Sequence, residues 1–320
     1  KLRKKYLYLD LKIMLKKNIK KIIFIGSKDL GFEVFKSIYA VSNEFEWTLL
    51  MPDDSKDARS NNSNFVSFAK KNSIDFFICK NNTEAKKIIK KINPEIGFVC
   101  GWYWLIDKSI LSIIDYGLWG MHNSLLPKYR GGAPLVWSII NGEKIVGSTI
   151  FKIEEGMDDG EILHTIKVEL DQKMHIGDVL NIIQEKTVSS LPKKWNLLLH
   201  GSIKTVNQNE SYATYCSQRM PNDGLIVWSE DASKIYNFIR AQSHPYPGSF
   251  TYYKNQKIKI MKAKIVDNIY FGTPGQILRV LNNSVYISCG HNTAIEIISL
   301  QLENQICNPS RVFKSIKIRL

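Results

Sequence analysis

KKIIFIGSKDLG (residues 20–31) contains the first of four apolar runs in the chain. The other three are FEWTLLM (45–51), IDFFIC (74–79) and IGFVCGW (96–102), and helical periods separate them near residues 30–41, 65–71 and 84–92. Short runs rich in Ile, Val and Phe that alternate with helices indicate βαβ units with strands buried on both faces. The sequence therefore predicts an α/β domain with an open, mostly parallel, Rossmann-like sheet.

The turn after the first run has Gly26 and Ser27 where such sheets can bind anions at a helix N-terminus. It lacks a complete G-x-G-x-x-G, which disfavours a dinucleotide site. A tight turn between strand and helix is the favoured interpretation, and a phosphate site is the alternative.

The chain has 320 residues with 44% hydrophobic content, enough for one large and one smaller domain. No apolar run approaches the roughly 18 to 20 residues of a membrane span, so none is expected. Residues 1–19, KLRKKYLYLDLKIMLKKNI, are interpreted as a basic N-terminal extension, with Met14 as a candidate internal start. They contain no continuous apolar segment of a signal peptide.

The five cysteines indicate the cellular compartment of the protein, and its net charge of +14 indicates its possible binding partners. The cysteines, at positions 79, 100, 216, 289 and 307, are odd in number and form no CxxC pair. Reduced thiols in a cytoplasmic protein are therefore expected, and no metal site. The charge could indicate an anionic partner, but lysine is abundant throughout, and a solvated surface is favoured.

A polar segment, GSIKTVNQNESYATYCSQRMPND (201–223), follows a helical stretch at 176–199. We place the domain boundary within it, giving a larger domain over 20–204 and a smaller one over 205–320. Beyond it come a helix at 232–240, the turn HPYPG (244–248) and four or five short β runs. This spacing predicts a small, mostly β, OB-like barrel.

The chemistry is concentrated in residues 117–163, GLWGMHNSLLPKYRGGAPLVWSIINGEKIVGSTIFKIEEGMDDGEIL. His122 ends an apparent strand, and Asp158 follows 36 positions later in an acidic turn. A histidine suits proton transfer near neutral pH, and a nearby carboxylate can stabilise the imidazolium. Taken alone, such a histidine is more often structural.

The motifs HNSLLPKYRGGAPL (122–135), G-x-T-I (147–150) and EGMDDGEIL (155–163) resemble those of 10-formyltetrahydrofolate-dependent formyltransferases. The C-terminal motifs VW (227–228), IRAQSHPYPGSF (239–250) and GTPGQIL (272–278) are similar to the barrel of the two-domain members. The resemblance extends from about Lys21 to Leu302. It implies transfer of a formyl group from 10-formyltetrahydrofolate, the co-substrate, to an amine.

The resemblance also implies site residues. His122 and Asp158 match the catalytic pair, with Asp159 secondary. Positions matching the folate pocket are Tyr103, Trp104, Leu105, Ser124, Leu125, Leu126, Pro127, Glu154, Gly156 and Met157. Core packing is an equal alternative for Trp102, Tyr103 and Trp104. Substrate-binding residues are expected at Lys128, Arg130 and Arg219.

Gly120 departs from the family pattern, which usually has Asn two residues before the histidine. An amide donor near the transferred formyl oxygen would then be missing. We expect a water or a neighbouring donor to replace it, with Tyr103, Trp104 and Asn123 as candidates in that order.

Three acceptors compete: a nucleotide-linked amino sugar, aminoacylated initiator tRNA, and an amino acid on a carrier protein. SQRMPNDGLIVW (217–228) looks closer to the sugar formyltransferase domain of the UDP-aminoarabinose pathway. MPDDSKDARSNNSNF (51–65) lacks the basic loop with which tRNA enzymes grip the acceptor stem, and phosphate contacts dominate such affinity.

The favoured function is therefore N-formylation of a nucleotide-linked amino sugar for surface polysaccharide, such as lipopolysaccharide, biosynthesis. Methionyl-tRNA formyltransferase is the first alternative and an inactive formyltransferase-like binding module the second. The expected ligands are the nucleotide sugar and folate, tRNA is not favoured, and a homodimer is left open.

Overall fold

A computed structural model of the chain describes residues 19–57 and 59–320. Contacts divide it into two compact units. The described part of the first comprises 19–130, 147–167 and 182–214, and the second comprises 131–146, 168–181 and 215–320. The division falls after Thr214, within the polar segment 201–223 in which the boundary is predicted, and residues 131–146 and 168–181, which lie in the predicted larger domain, join the second unit. The predicted basic extension lies outside the described residues except for Ile19.

A seven-stranded sheet forms the centre of the first unit, in the order β3-β2-β1-β4-β5-β7-β8. The strands are β1 (Lys21–Gly26), β2 (Glu46–Pro52), β3 (Asp75–Cys79), β4 (Ile96–Cys100), β5 (Leu118–His122), β7 (Ile145–Ile153) and β8 (Ile162–Glu169), with a short β6 (Arg130–Gly131) outside this sheet. Strands β1 to β5 pair in parallel, and β7 pairs antiparallel with β5. The predicted open, mostly parallel α/β sheet is confirmed.

Helices cover both faces of this sheet, and this coverage buries its central strands on both sides. In β1, Ile22 and Phe24 pack on one face, with the helices over 28–39, 62–71 and 176–199. Ile23 and Ile25 pack on the other face, with the helices over 82–92 and 108–111. The helices are α1 (Lys28–Tyr39), α2 (Asn62–Lys71), α3 (Asn82–Ile92), α4 (Lys108–Leu111), α5 (Pro134–Ile140) and α6 (Ile176–Leu199). The predicted helix over 176–199 is reproduced at both ends.

The carboxyl ends of β1, β4 and β5 meet at one edge of the sheet. Gly26 ends β1 there, and a Cβ on it would lie 1.8 Å from the Cys100 carbonyl oxygen. Ser27 donates its backbone N–H to that oxygen at 3.2 Å and its hydroxyl to Asp54 Oδ2 at 2.5 Å. With Asp29 in the first turn of α1, carboxylates surround this helix start. They favour the tight-turn interpretation over a phosphate site.

The second unit contains a mostly antiparallel sheet in the order β10-β11-β14-β13-β12, with β15 paired to β14. This agrees with the predicted second, smaller, mostly β domain. Its elements are β9 (Tyr215–Cys216), β10 (Ser249–Tyr253), β11 (Gln256–Val266), β12 (Ile277–Val280), β13 (Val285–Ser288), β14 (Ala294–Leu302), β15 (Gln305–Cys307), α7 (Ala232–Ala241) and α8 (Pro309–Val312). Helix α7 packs on the sheet through Ile235 and Ile239.

The five cysteines are free thiols. Burial raises the pKa of Cys79 to about 11 and the pKa values of Cys100 and Cys289 to about 12. Such thiols stay protonated at neutral pH and are poor nucleophiles and metal ligands. Nowhere in residues 19–57 and 59–320 do three or more His, Cys, Asp or Glu side chains gather as a metal site would require.

None of the helices in the described part of the chain combines the length and apolar character that crossing a bilayer demands. Helix α6 has 24 residues, but its charged residues include Asp178, Glu185 and Lys186.

Trp195 joins α6 to the sheet. It is fully buried, with its ring centroid 5.6 Å from that of Phe98 and 6.4 Å from that of Trp47. Its indole Nε1 has no hydrogen-bond partner within the described residues. The side chain therefore contributes through apolar packing.

We expect Trp195→Ala to lower the free energy of unfolding by about 3–5 kcal/mol, because it leaves a large cavity under α6. Trp195→Phe should cost clearly less, since it keeps most of the ring contacts and removes the unpaired N–H. Urea denaturation followed by circular dichroism measures both. Equal losses for the two variants would contradict the packing role.

Candidate active site

His122 is the last residue of β5, between parallel β4 and antiparallel β7. The pairing of β5 with β7 places Thr149 directly opposite it. Ser148 donates its hydroxyl to the His122 carbonyl oxygen at 2.9 Å, and Thr149 donates to the Ser124 carbonyl oxygen at 2.7 Å. The end of the strand and the first residues of the following loop are thus fixed by two buried hydroxyls.

The His122 side chain is 8% exposed and meets a different group at each ring nitrogen. Nε2 lies 2.7 Å from the Tyr129 carbonyl oxygen, and Nδ1 lies 3.6 Å from Asp158 Oδ2. The structure thus brings together the two residues that the sequence singles out as a catalytic pair. Their catalytic roles remain predictions.

This geometry assigns different tasks to the two nitrogens. A carbonyl oxygen can only accept a hydrogen bond, so Nε2 carries the proton of the neutral ring and Nδ1 keeps its lone pair. Nδ1 is therefore the atom able to take a proton from an attacking amine. The Asp158 carboxylate is beyond normal hydrogen-bond length but close enough to stabilise the resulting imidazolium. The pair is suited to general-base catalysis.

Gly120 lies two residues before His122, on the same face of β5. A Cβ at this position would approach Cδ1 of Ile153 to 2.9 Å and its Cγ1 to 3.2 Å. Ile153 is paired with Leu118 across the two strands. The space beside Gly120 is therefore partly occupied by a flexible apolar side chain.

The three candidates for a replacement donor differ in their surroundings. The Tyr103 hydroxyl lies 2.7 Å from Asp57 Oδ2 and 3.2 Å from Asp54 Oδ2, so it is already engaged. Trp104 packs edge-on against Trp102, with ring centroids 4.8 Å apart. Asn123 is half-buried, and its Oδ1 has no hydrogen-bond partner within residues 19–57 and 59–320. The donors of Asn123 (Nδ2) and Trp104 (Nε1) form no hydrogen bond within residues 19–57 and 59–320, so both keep donor capacity that the Tyr103 hydroxyl has already used.

Tyr103, Trp104 and Leu105 follow β4 at the same edge. Trp102 and Trp104 pack against one of the two sheet cores, as the packing alternative predicts, whereas Leu105 is 90% exposed. The roles of Tyr103, Trp104 and Leu105 in folate binding remain predictions.

Charged groups surround Tyr103. Hydrogen bonds from Arg59 hold the pKa of Asp57 well below its usual range. Burial and the hydrogen bond to Asp57 raise the pKa of Tyr103, so its hydroxyl stays a donor. The Lys28 ammonium lies 4.4 Å from the centre of the Tyr103 ring, and burial lowers the pKa of Lys28.

The loop predicted to shape the folate pocket runs from Ser124 to Pro127. Ser124 is buried and donates its hydroxyl to the Lys128 carbonyl oxygen at 2.7 Å. Leu126 is buried and donates its N–H to Thr149 Oγ1 at 3.2 Å, and Leu125 is half-buried. These contacts make the loop a fixed wall beside His122.

Glu154, Gly156 and Met157 lie in the exposed loop between β7 and β8. In the described structure, the backbone N–H and C=O groups of 154–157 form no hydrogen bonds. A Cβ on Gly156 would lie 1.8 Å from Asp159 Oδ2, so the Asp159 carboxylate packs against this backbone. The loop offers unoccupied backbone donors and acceptors, as the folate prediction requires.

Of the two residues near the loop predicted to bind substrate, Lys128 is exposed and Arg130 is buried. Arg130 is 1% exposed, and its guanidinium donates to Gln208 Oε1 at 2.8 and 3.2 Å and to the Glu210 carboxylate at 2.7 and 2.8 Å. A substrate-binding role does not fit a guanidinium committed in this way. Arg130 is better described as a structural residue.

Arg219 belongs to the second unit. One of its nitrogens, Nη2, donates to the Asp223 carbonyl oxygen at 2.6 Å and to Gln242 Oε1 at 3.0 Å, and the guanidinium lies 4.8 Å from the Trp137 ring centre. Its Nε and Nη1 have no hydrogen-bond partner within the described residues. Burial lowers the pKa of Arg219. Binding of an anionic group here remains a prediction.

The chain matches two sequence families and several individual proteins. Residues 51–194 match the formyl transferase family, and residues 219–317 match the formyl transferase C-terminal domain. The chain is 32% identical over 282 residues to a methionyl-tRNA formyltransferase from Clostridium botulinum (strain Alaska E43 / Type E3), covering 86% of this chain and 90% of that protein.

Two further proteins are similar to the chain. The chain is 36% identical over 243 residues to the bifunctional polymyxin resistance protein ArnA of Wigglesworthia glossinidia brevipalpis, a match that covers 74% of this chain but only 36% of that longer protein. An N-formyltransferase from Helicobacter canadensis, solved with folinic acid and dTDP-3-aminofucose, has a TM-score of 0.68 at 18% identity, covering 88% of this chain and 99% of that one.

The chain therefore belongs to the formyl transferase family. Members of this family transfer a formyl group from 10-formyltetrahydrofolate. The predicted family and its formyl donor are confirmed, while the acceptor is not distinguished by these matches.

The residues present fit the folate, which supplies the formyl group when bound. Trp102 Nε1 and Asn123 Oδ1 are buried polar atoms, just after β4 and β5, without a partner in the described part of the chain. Buried polar groups normally have partners. Together with the open backbone of 154–157, they offer the donors and acceptors that the edge of a pterin ring would need.

Sequence reasoning assigned no role to Ser148, Thr149 or Tyr129. Ser148 and Thr149 could have been noticed in the sequence, because they interrupt the otherwise mostly apolar run IVGSTIFKI of β7. In the structure both side chains are fully buried. A buried hydroxyl needs a partner. Tyr129 acts through its backbone carbonyl, so its residue type carries no signal.

We expect His122→Ala and Asp158→Asn each to reduce turnover by at least about 10²-fold with little change in melting temperature. Asn suits position 158 because the residue there has φ of 51°, a left-handed conformation that Asn tolerates. Measuring tetrahydrofolate release tests both. A variant with a near wild-type rate would remove that residue from the catalytic pair.

Position 120 allows a paired test. Gly120→Asn alone should give a smaller gain in rate than it gives together with Ile153→Val, because its Cβ requires Ile153 Cδ1 to shift. The double variant Gly120→Asn with Ile153→Val lacks that methyl and has room for the amide. If an oxyanion donor is missing, its turnover should exceed that of Ile153→Val alone, by up to about 10²-fold for one donor. Equal rates for Ile153→Val and the double variant would show that the donor is already replaced.

Proposed function

We propose that this protein transfers the formyl group of 10-formyltetrahydrofolate to the amine of a nucleotide-linked amino sugar, in the biosynthesis of a surface polysaccharide such as lipopolysaccharide. The observation that carries this proposal is a recess after the carboxyl ends of β2 and β4, on the edge of the sheet where β5 ends at His122 (the catalytic edge). Its volume is about 560 Å³, and it is lined by Pro52, Asp53, Asp54, Lys56, Asp57, Tyr103 and Trp104. That volume lies in the range of small-molecule sites.

The charges of the recess favour a sugar over an RNA stem. Three of its charged lining residues are carboxylates and one is a lysine. The neighbouring Arg59 is paired with Asp57 at 2.8 Å, which neutralises much of its charge. Carboxylates accept hydrogen bonds from hydroxyl groups but repel a row of phosphates. A polyhydroxylated ring is therefore the better occupant of the recess, and the diphosphate of the nucleotide would lie outside it.

The catalytic edge can serve any primary amine. The amine must be neutral to attack, and His122 Nδ1 accepts a proton from it while Asp158 stabilises the imidazolium. Such a mechanism does not select the acceptor, so acceptor choice depends on the surfaces around this edge.

Methionyl-tRNA is the second candidate acceptor, because β11 has a row of lysines. Lys257, Lys259, Lys262 and Lys264 lie along this strand, and none of them forms an ion pair within the described residues. Lysines on an edge strand can prevent aggregation. This explanation does not apply to β11, because it pairs with β10 on one side and β14 on the other. Such a row could contact phosphates.

Turnover with both acceptor classes discriminates between the candidates. We expect tetrahydrofolate release with an amino sugar linked to dTDP, UDP or GDP, and little with initiator methionyl-tRNA. The sugar activity should change only a few-fold between 50 and 200 mM salt, whereas tRNA binding through 6–10 phosphates would weaken by about 10³ to 10⁵.

A matched pair of variants sharpens this test. Lys257→Gln, Lys259→Gln and Lys262→Gln together remove three of the four lysines of the row, while Lys87→Gln, Lys90→Gln and Lys91→Gln on α3 remove the same charge elsewhere. We expect both triple variants to keep the sugar activity. Salt-sensitive formylation of methionyl-tRNA that only the β11 variant loses would overturn the sugar proposal.

The proposal includes a cytoplasmic location for the protein and leaves a homodimer open.

A further inference from the structure

Segment 208–214 is the last part of the first unit, and it contacts the loop that follows His122. Thr214 accepts the Tyr129 N–H at its hydroxyl oxygen at 2.9 Å and the Arg130 N–H at its carbonyl oxygen at 2.8 Å. Its own N–H donates to the Pro127 carbonyl oxygen at 3.3 Å. Tyr129 is the residue whose carbonyl oxygen accepts from His122 Nε2. Thr214 therefore holds the peptides on both sides of Tyr129: its hydroxyl oxygen holds the Lys128–Tyr129 peptide, and its carbonyl oxygen holds the Tyr129–Arg130 peptide, whose carbonyl orients the imidazole.

The other end of the segment reaches Asp158. Gln208 donates through its side-chain Nε2 to the carbonyl oxygens of Asp158 and Gly160, both at 2.8 Å. Its Oε1 accepts from the buried Arg130 guanidinium. Arg130 is held in turn by Glu210. The amide of Gln208 thus joins the histidine loop to the aspartate loop.

Asp158 needs such support because of its backbone. Its φ of 51° is uncommon for a residue other than glycine. Strained conformations persist only where surrounding contacts determine them. The two hydrogen bonds from Gln208 hold the carbonyl groups at Asp158 and two residues beyond, and so restrict where the carboxylate points relative to His122 Nδ1.

We propose that segment 208–214 positions both members of the catalytic pair, with Gln208 as the positioning residue for Asp158 and Thr214 as the positioning residue for His122. Neither residue is a catalytic residue, since each acts through backbone groups of the loops. The segment is therefore a working part of the active site. This inference rests on the family's formyl transfer and not on the identity of the acceptor.

Gln208→Glu tests the first half. The carboxylate still accepts from Arg130 but cannot donate to the two carbonyl oxygens. We expect kcat to fall at least about tenfold, with KM for 10-formyltetrahydrofolate and for the acceptor within about threefold and the melting temperature nearly unchanged. Gln184→Glu on α6 is the matched control, because the Gln184 side chain forms no hydrogen bond within the described residues. Wild-type kcat in a folded Gln208→Glu protein would overturn the role of Gln208.

Two variants of Thr214 test the second half of the proposal, which concerns His122. Thr214→Val keeps the shape and loses the acceptor for the Tyr129 N–H, whereas Thr214→Ser keeps it. We expect Val to lower kcat and Ser to retain it. Thr205→Val is the control, because Thr205 bonds Glu161 instead. Equal kcat values for Val and Ser would overturn the role of Thr214. This pair also decides the proposal for His122 if Gln208→Glu fails to fold.

Hydrogen exchange gives a readout that needs no acceptor. In Gln208→Glu, we expect faster exchange in residues 154–162, and in Thr214→Val, faster exchange in residues 124–130, with α6 unchanged in both. Unchanged exchange in both loops would overturn the proposal. These measurements separate its failure from that of the sugar assignment, which would leave them unaffected.

Discussion

The antiparallel pairing of β7 with β5 is the constraint on which the catalytic edge depends. Its register places Thr149 opposite His122, and a slip of one residue would turn every side chain of β7 to the other face. The Thr149 hydroxyl contacts both Ser124 and Leu126, so the loop after β5 takes its shape from this strand. The same strand then leads into the loop of Asp158. One pairing therefore determines both sides of the site.

Much of the first unit follows from local pattern. Strands β1 to β4 are apolar runs buried on both faces, and α6 has a regular apolar stripe, so their positions could be predicted within a few residues. The fold class and family were also accessible, since the motifs around His122 and Asp158 are long and contiguous. These features depend on residues that are close in sequence.

What the sequence did not predict depends on contacts between distant residues. Segments 131–146 and 168–181 join the second unit, although they lie between elements of the sheet. Arg130 looked like a substrate residue but is buried against a polar segment almost 80 positions away. The space beside Gly120 is shared with Ile153, which no local pattern indicates. In each case, contacts between residues that are distant in sequence decide the role, and the local sequence does not indicate it.

The position of segment 208–214 also has a consequence for protein synthesis. A nascent chain that has emerged only to residue 204 would contain His122 and Asp158 but neither Gln208 nor Thr214. It could form the parallel sheet before its catalytic groups were held in place. Full activity would then appear only after residues 208–214 had left the ribosome, which couples efficient catalysis to the synthesis of this segment and not to that of residues 215–320. The same coupling would limit recombination, because a new C-terminal domain joined before residue 208 would bring a foreign segment into the active site.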